Sequence, residues 1–253
     1  MPHRIMVIAA HPQDPIERAG GTVAKHIARG DEVMMVSLTT GVVTHAFGFF
    51  PATGADKLRD IEKVKETKRQ EFARAREVLG VQQGVVLDFS ESPMLFGREE
   101  YITVVNLIRQ FRPHCVLCPH PVEYGRQDHM DSGRFAIAAV DYARAEGVPS
   151  SLAPHTVGNL FMFYYPDFRS EQVMGTPRHS PEIVVDITEV IGKKRAAMAV
   201  YASTQAKVGE DYEKKLDAFL LKIDAAAGYI HGFGYAEQFS RLNPERLQVL
   251  PIV

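Results

Sequence analysis

Ile5–Ala10 (IMVIAA) is an uninterrupted apolar run, and a run of this length suits a strand buried on both faces. Ile16–Arg29 follows with apolar residues at helical spacing and stops at Gly30, a residue suited to capping a helix C-terminus. Glu32–Leu38 (EVMMVSL) is a second buried run. A strand, a helix and a second strand in this order imply a parallel pair with a right-handed crossover.

The alternation continues along the chain. Gly41–Ala55 reads as a loop rich in glycine and aromatics, and Asp56–Leu79 as a long charged helix closed by Gly80. Val85–Phe89 predicts a strand, Tyr101–Phe111 a helix ending before Pro113, Cys115–Cys118 a strand and Asp131–Glu146 a helix. Leu160–Tyr164 and Ile183–Ile187 predict later strands, and Thr188–Thr204 and Glu210–Ala227 helices. Strands alternating with helices predict an α/β sandwich with a mostly parallel sheet. No repeat, low-complexity tract or linker divides residues 1–253, so one domain is expected.

Composition narrows the class. Apolar residues make up 45% and charged residues 24%, which is ordinary globular usage. The formal net charge of −2 supplies no global basic field for nucleic acid or an anionic membrane. No apolar run reaches the roughly 18 residues of a membrane span, and Met1-Pro2-His3-Arg4 shows no signal-peptide pattern, so neither a span nor a leader is expected. Cys115 and Cys118 are spaced C-x-x-C inside a strand, where residues three apart face opposite ways, so two free thiols are expected. Free thiols suit a reducing, cytoplasmic setting.

Two loops carry the chemistry. His11-Pro12-Gln13-Asp14 follows the first strand and precedes the first helix, and open parallel sheets bind ligands at the carboxyl ends of their strands. His11 and Asp14 offer an imidazole nitrogen and a carboxylate oxygen, both suited to zinc. Asp14-Pro15-Ile16-Glu17 reads equally as a helix start with Asp14 as N-cap. Gly20-Gly21 inside the helix costs roughly 1 kcal/mol per glycine relative to alanine, which suggests a close neighbour there. The second loop, His120 to His129, follows the Cys115–Cys118 strand and is dense in ionisable residues. Two such loops at one sheet edge can converge on one crevice, and three protein ligands with an open position describe a catalytic zinc site.

These residues resemble the PIG-L/LmbE family of zinc-dependent de-N-acetylases, which are built on a Rossmann-like fold. The likeness lies in Ile5 to Gly41, in Lys68-Arg69-Gln70-Glu71, in the second histidine loop, in Val185-Asp186-Ile187-Thr188 and in Tyr235-Ala236-Glu237-Gln238-Phe239. It implies a Rossmann-like three-layer sandwich. It also implies zinc, or another divalent ion, held by His11, Asp14 and the last His of an H-P-D-H motif. Two registers fit that motif. In one, Arg126-Gln127-Asp128-His129 fills it and His129 is the ligand; in the other, His129 is its first His and Ser132 falls on the ligand. The first leaves a competent ligand and aligns Gly133-Arg134 with the small and basic positions that follow.

The departures from the family pattern bear on the reaction. Gln13 stands where the family has its catalytic base, and a neutral amide hydrogen-bonds water without taking its proton. Pro15 replaces the following Glu, and Arg126 replaces the histidine that would stabilise an oxyanion. The 4-oxalomesaconate hydratase branch has similar losses and an R-A-G-G stretch, which matches Arg18-Ala19-Gly20-Gly21 here. The acidic loop of that branch has no carboxylate counterpart in Gly41–His45, so His45 is the nearest acid or base, with an exposed loop histidine as the plain alternative. Asp128 suits orientation of a ligand or proton transfer, and His120 a place on the pocket wall.

The resemblance places a substrate-facing arginine at Arg69. Arg69 and Arg126 suit bidentate carboxylate binding, although the helix around Arg69 is crowded with Lys65, Lys68, Arg74 and Arg76 and also reads as a solvated face. The expectation is a hydro-lyase acting on a small unsaturated carboxylated metabolite of aromatic-acid breakdown. The alternatives are a deacetylase with a relocated base and a catalytically reduced metal- or ligand-binding protein. Phe47, Phe49 and Phe50 suit a lid or, with the tail Leu247–Val253, a subunit interface, so a homo-oligomer is expected.

Overall fold

A computed structural model describes residues 2–46, 61–123, 126–163, 181–207 and 209–242. The expected lid aromatics and the apolar tail lie outside these residues, as do residues 56–60 of the expected long helix.

The first strand, β1 (Arg4–Ala9), is followed by α1 (Asp14–Ala28), β2 (Glu32–Ser37), the single turn α2 (Val42–His45) and α3 (Ile61–Leu79). Then come β3 (Gln83–Val86), α4 (Arg98–Phe111), β4 (Cys115–Pro119), α5 (Gln127–Ala143), β5 (Asn159–Phe163) and β6 (Ile183–Asp186). A 3-10 turn (Thr188–Val190) leads to α6 (Ile191–Ala199), α7 (Ala202–Gln205) and α8 (Tyr212–Leu220). A π turn (Leu221–Ala225), α9 (Ala226–His231) and β7 (Ala236–Arg241) close the described chain.

The strands form one seven-stranded sheet in the order β3-β2-β1-β4-β5-β7-β6. The pairs from β3 to β5 are parallel; β7 runs antiparallel to both β5 and β6. Period-two alternation divides β1 between two cores. Ile5, Val7 and Ala9 pack with Ile16, Val23, Phe72, Leu79 and Met198 from α1, α3 and α6. Met6 and Ile8 pack on the opposite face with Val104, Ile108, Phe135 and Ala139 from α4 and α5. The result is the expected three-layer sandwich, and each large aliphatic side chain removed from water contributes about 1.5–3 kcal/mol.

Several boundaries differ from expectation. Helix α5 starts at Gln127 rather than Asp131, so the second histidine loop ends inside a helix. The 188–204 helix divides into a 3-10 turn, α6 and α7, and the 210–227 helix passes through the π turn. The strand expected at 85–89 spans Gln83–Val86. Asp14 is the first residue of α1 and Gln13 holds the N-cap position without a side-chain cap bond, because the Asp14 carboxylate turns back to accept from His11 N at 2.8 Å. Cys115 and Cys118 are free thiols, and burial pushes Cys115 up to about 12.

Gly20-Gly21 is explained by packing. A Cβ on Gly21 would lie 2.7 Å from the Ile187 side chain, and one on Gly20 would lie 3.3 Å from Lys194 Cγ. Lys194 is fully buried and pairs with Asp224 at 2.6 Å and Glu237 at 2.8 Å. Glu237 also accepts from Gly21 N at 2.9 Å and Thr22 N at 2.7 Å. This knot ties α1, α6, the π turn and β7 together, and protein side chains stand against both glycines.

Candidate metal centre

The strands β1 and β4 are neighbours, and their carboxyl ends share one sheet edge where the chain leaves in different directions. His11 and Asp14 follow β1; His129 lies in the first turn of α5, after β4. Helix α5 comes close because Gly133 has no side chain: a Cβ there would sit 2.4 Å from the Pro119 carbonyl oxygen. The loop carrying His11 is pinned from the other side by Tyr201 Oη, which donates to Pro12 O at 2.9 Å.

His11, Asp14 and His129 are buried, and one ligand atom from each lies within 4.8 Å of the others. Asp14 Oδ2 stands 3.3 Å from His11 Nδ1 and 3.7 Å from His129 Nε2. The opposite ring nitrogens face other carboxylates: His11 Nε2 lies 3.3 Å from Asp128 and 3.8 Å from Glu91, and His129 Nδ1 lies 3.7 Å from Glu123. Neither ring nitrogen of His11 makes a hydrogen bond among the described residues. Two buried imidazoles with four carboxylates, gathered where α1 and α5 begin, suit a divalent cation, which would complete the His11 ring and offset the acidic charge.

Local electrostatics agree. Burial alone would raise the Asp14 carboxyl, but His129, His11 and His45 hold it well below the usual range. Burial would lower His129, but Asp14, Glu123 and Asp128 raise it. His45 goes the other way: burial and then His11 push it well below the ordinary imidazole value, so the ring is neutral at neutral pH. Its ring stands edge-on to His11 with centroids 4.5 Å apart, so it belongs to the cluster and is no exposed loop residue.

The structure brings most of the sequence candidates together. Gln13 is 2% exposed, and its Oε1 has no hydrogen-bond donor among the described residues. Arg126 occupies the N-cap position of α5, directly before Asp128 and His129. His120 is buried but locked into its own loop: its Nδ1 lies 3.1 Å from Val122 N, and its backbone N donates to Phe163 O at 2.7 Å. Ser132 Oγ donates to Met94 Sδ at 3.2 Å, so of the two registers the one with His129 faces Asp14. Arg69 turns to Asp88 at 3.6 Å and Glu66 at 4.0 Å, on the outer side of α3.

Its neighbour Lys68 is the cation that α3 delivers inward. Lys68 is fully buried, and its Cε and the His11 ring both pack against Gly41, within 3.4 Å of where a Cβ on that glycine would stand. Burial brings its ammonium down to about 8, against the pull of Glu71 and Glu91. The family resemblance points to Arg69; the helical phase of Val64, Lys68, Glu71, Phe72 and Ala75, all buried, shows that Lys68 is on the inward face of α3. Glu91 was also missed. Its Oε1 accepts from Thr44 N at 3.0 Å and Thr44 Oγ1 at 2.7 Å, which fastens the loop after β3 to the α2 turn that carries His45.

A mostly parallel sheet with a buried His-Asp-His cluster at the switch between β1 and β4 defines an α/β protein of the doubly wound type with a candidate metal centre. Residues 6–140 match the family described as PIG-L, GlcNAc-PI de-N-acetylase, and the chain belongs to it. The diacetylchitobiose deacetylase of Thermococcus kodakarensis is 30% identical over 92% of this chain and 81% of its own length. The 4-oxalmesaconate hydratase of Pseudomonas putida is 26% identical over 82% of this chain and 74% of its own. Among solved structures, the 4-carboxy-2-hydroxymuconate hydratase of Pseudomonas putida KT2440 superposes with a TM-score of 0.80 at 24% identity, covering 98% of this chain and 100% of that one. The fold is therefore one shared by hydratases and deacetylases, and this chain is a member of an enzyme family that performs both. No helix among the described residues is long and apolar enough to cross a membrane.

Proposed function

We propose that this chain is a metal-dependent hydro-lyase, which adds water to a small unsaturated carboxylated metabolite of aromatic-acid breakdown. His11, Asp14 and His129 would hold zinc or another divalent ion, which when bound polarises an oxygen of the substrate or of water. The observation that carries the reading is Gln13. It is a buried neutral amide at the position where the family resemblance places the base of amide hydrolysis.

The side chains around the cluster suit hydration. Lys68, as an ammonium, attracts a substrate carboxylate, and Arg126 beside the opening of α5 offers a second, bidentate contact. Water's oxygen bonds to one alkene carbon while the π pair moves toward the conjugated carbonyl. His45, neutral at neutral pH, takes the proton that water loses; the imidazolium then returns a proton to the neighbouring carbon as the enolate pair collapses, which completes the addition of water and restores neutral His45. Gln13 can hydrogen-bond the water and orient it. Free thiols at Cys115 and Cys118 suit a reducing compartment such as the cytoplasm.

One observation favours a second reading, a de-N-acetylase. Asp128, 3.3 Å from His11 Nε2, is a carboxylate within the cluster and can act as a relocated base, and a deacetylase relative is 30% identical to this chain. The deciding experiment is to incubate the metal-loaded protein with unsaturated keto dicarboxylates and, separately, with N-acetyl sugars. Loss of the conjugated chromophore with the first and no acetate from the second is the expected result. Acetate release without hydration would overturn the hydro-lyase reading.

A further inference from the structure

We propose that Glu123 is a positioning residue for the metal centre, holding the His129 ring in the orientation that turns Nε2 toward Asp14. The inference rests on the metal-binding part of the reading above.

The geometry has three parts. First, each histidine of the cluster has one nitrogen directed at the same oxygen, Asp14 Oδ2: His11 through Nδ1 at 3.3 Å and His129 through Nε2 at 3.7 Å. Second, the other nitrogen of each ring faces a separate carboxylate, Asp128 for His11 and Glu123 for His129. Third, Glu123 is only 7% exposed, and the segment that leads to it is hydrogen-bonded in place. His120 N donates to Phe163 O at 2.7 Å and the His120 ring closes onto Val122, which fixes the segment leading to Glu123 against β5. On the opposite side, the close approach of Gly133 to Pro119 fixes α5, which carries His129.

A carboxylate facing one imidazole nitrogen selects the tautomer with its proton there. It leaves the other nitrogen as a lone-pair donor and raises its basicity. Asp128 stands in the corresponding place for His11, 3.3 Å from its Nε2, within the H-P-D-H-like segment. Glu123 performs that service for His129 from the same His120–His129 loop but upstream of the H-P-D-H-like segment, which makes it a ligand-orienting residue of this chain's own loop. Loss of such an outer partner weakens metal binding about 10–100-fold.

The test compares wild type, Glu123→Gln, Glu123→Asp and His129→Ala, each loaded with Zn2+ and titrated with a chromophoric chelator. The same proteins loaded with Co2+ are read by visible absorption, and the thermal midpoint of each is measured after metal removal. The expected result is a zinc dissociation constant raised about 10–100-fold in Glu123→Gln. The Co2+ bands should shift, Glu123→Asp should recover part of the affinity, and the metal-free midpoint should stay near wild type. Affinity and Co2+ spectrum unchanged in Glu123→Gln, while His129→Ala loses the metal, would overturn the inference and leave the metal site standing. Zinc held equally by His129→Ala and wild type would overturn the metal site itself. If Glu123→Gln does not fold, Glu123→Asp decides: weaker zinc binding with an unchanged metal-free midpoint supports the inference, and wild-type affinity overturns it.

Discussion

Asp128 Oδ2 lies 3.3 Å from His11 Nε2, so the acidic side chain in the first turn of α5 touches the histidine just beyond β1. Asp128 also accepts its neighbour's backbone proton, from His129 N at 2.9 Å. One carboxylate thus joins the two loops that were candidates for a shared site, and it faces the His11 nitrogen opposite the one that faces Asp14.

Metal content should follow His129 and not Ser132. Zinc in purified wild type, measured by plasma mass spectrometry, is expected at about one ion per chain for a site of three protein ligands. His129→Ala should lose most of it. Ser132→Ala removes only a bond to Met94 and should keep it. Equal zinc in all three proteins would remove the His-Asp-His cluster as the site.

Lys68 predicts a pH dependence with a definite sign. Its ammonium titrates at about 8 in the fold, so KM for a carboxylated substrate should rise as pH passes above that value. The unfolded chain keeps the proton up to the ordinary value of 10.5, so stability should increase with pH between about 8 and 10.5. At neutral pH the buried ammonium costs roughly 2–4 kcal/mol, and Lys68→Met should recover part of that while raising KM tenfold or more. A flat KM profile from pH 7 to 9.5 would show that Lys68 does not meet the substrate.

Gln13 separates the two chemistries. Gln13→Asp restores a carboxylate at a buried position beside the metal ligands. Acetate release from N-acetyl sugars should appear or increase by about 10²–10⁴-fold, the range of a positioned base, and hydration should fall. Wild-type protein already releasing acetate, with Gln13→Asp no faster, would favour Asp128 as the base.

Gly133 tests the link between fold and site. Alanine normally improves a helix by about 1 kcal/mol over glycine. Here its Cβ would meet the Pro119 carbonyl oxygen at 2.4 Å, so Gly133→Ala should destabilise by roughly 1–3 kcal/mol and weaken metal binding by shifting α5. Gly147→Ala meets nothing within 4 Å and should leave both unchanged. The pair can be compared by urea unfolding and by chelator titration. A stabilised Gly133→Ala with full metal affinity would contradict the packing argument.

The legible parts of the site were those carried by local pattern. The apolar run at β1 and the capping glycine Gly30 make β-α-β the natural reading, and the residues after a buried parallel strand point to the carboxyl edge of the sheet. His11, Asp14 and His129 were readable because ligand-type residues stand just past such strands. Lys68 was readable in principle from helical phase, but the six cations on α3 hid which one turned inward. Glu91 and Glu123 carried no pattern, since an acidic residue in a loop looks the same whether it meets solvent or a histidine.

By itself the sequence determined the layered α/β architecture, because strand and helix periodicities act over a few residues and need no distant partner. It also determined the ligand types at the ends of β1 and β4. Only the tertiary structure decided that His129 and not Ser132 faces Asp14, that Lys68 is buried beside the His11 ring while Arg69 turns to Asp88, and that Gly20-Gly21 admits Ile187 and Lys194. Each of these depends on how closely two elements far apart in the chain approach, which is set by packing of the assembled sheet and helices rather than by any local preference.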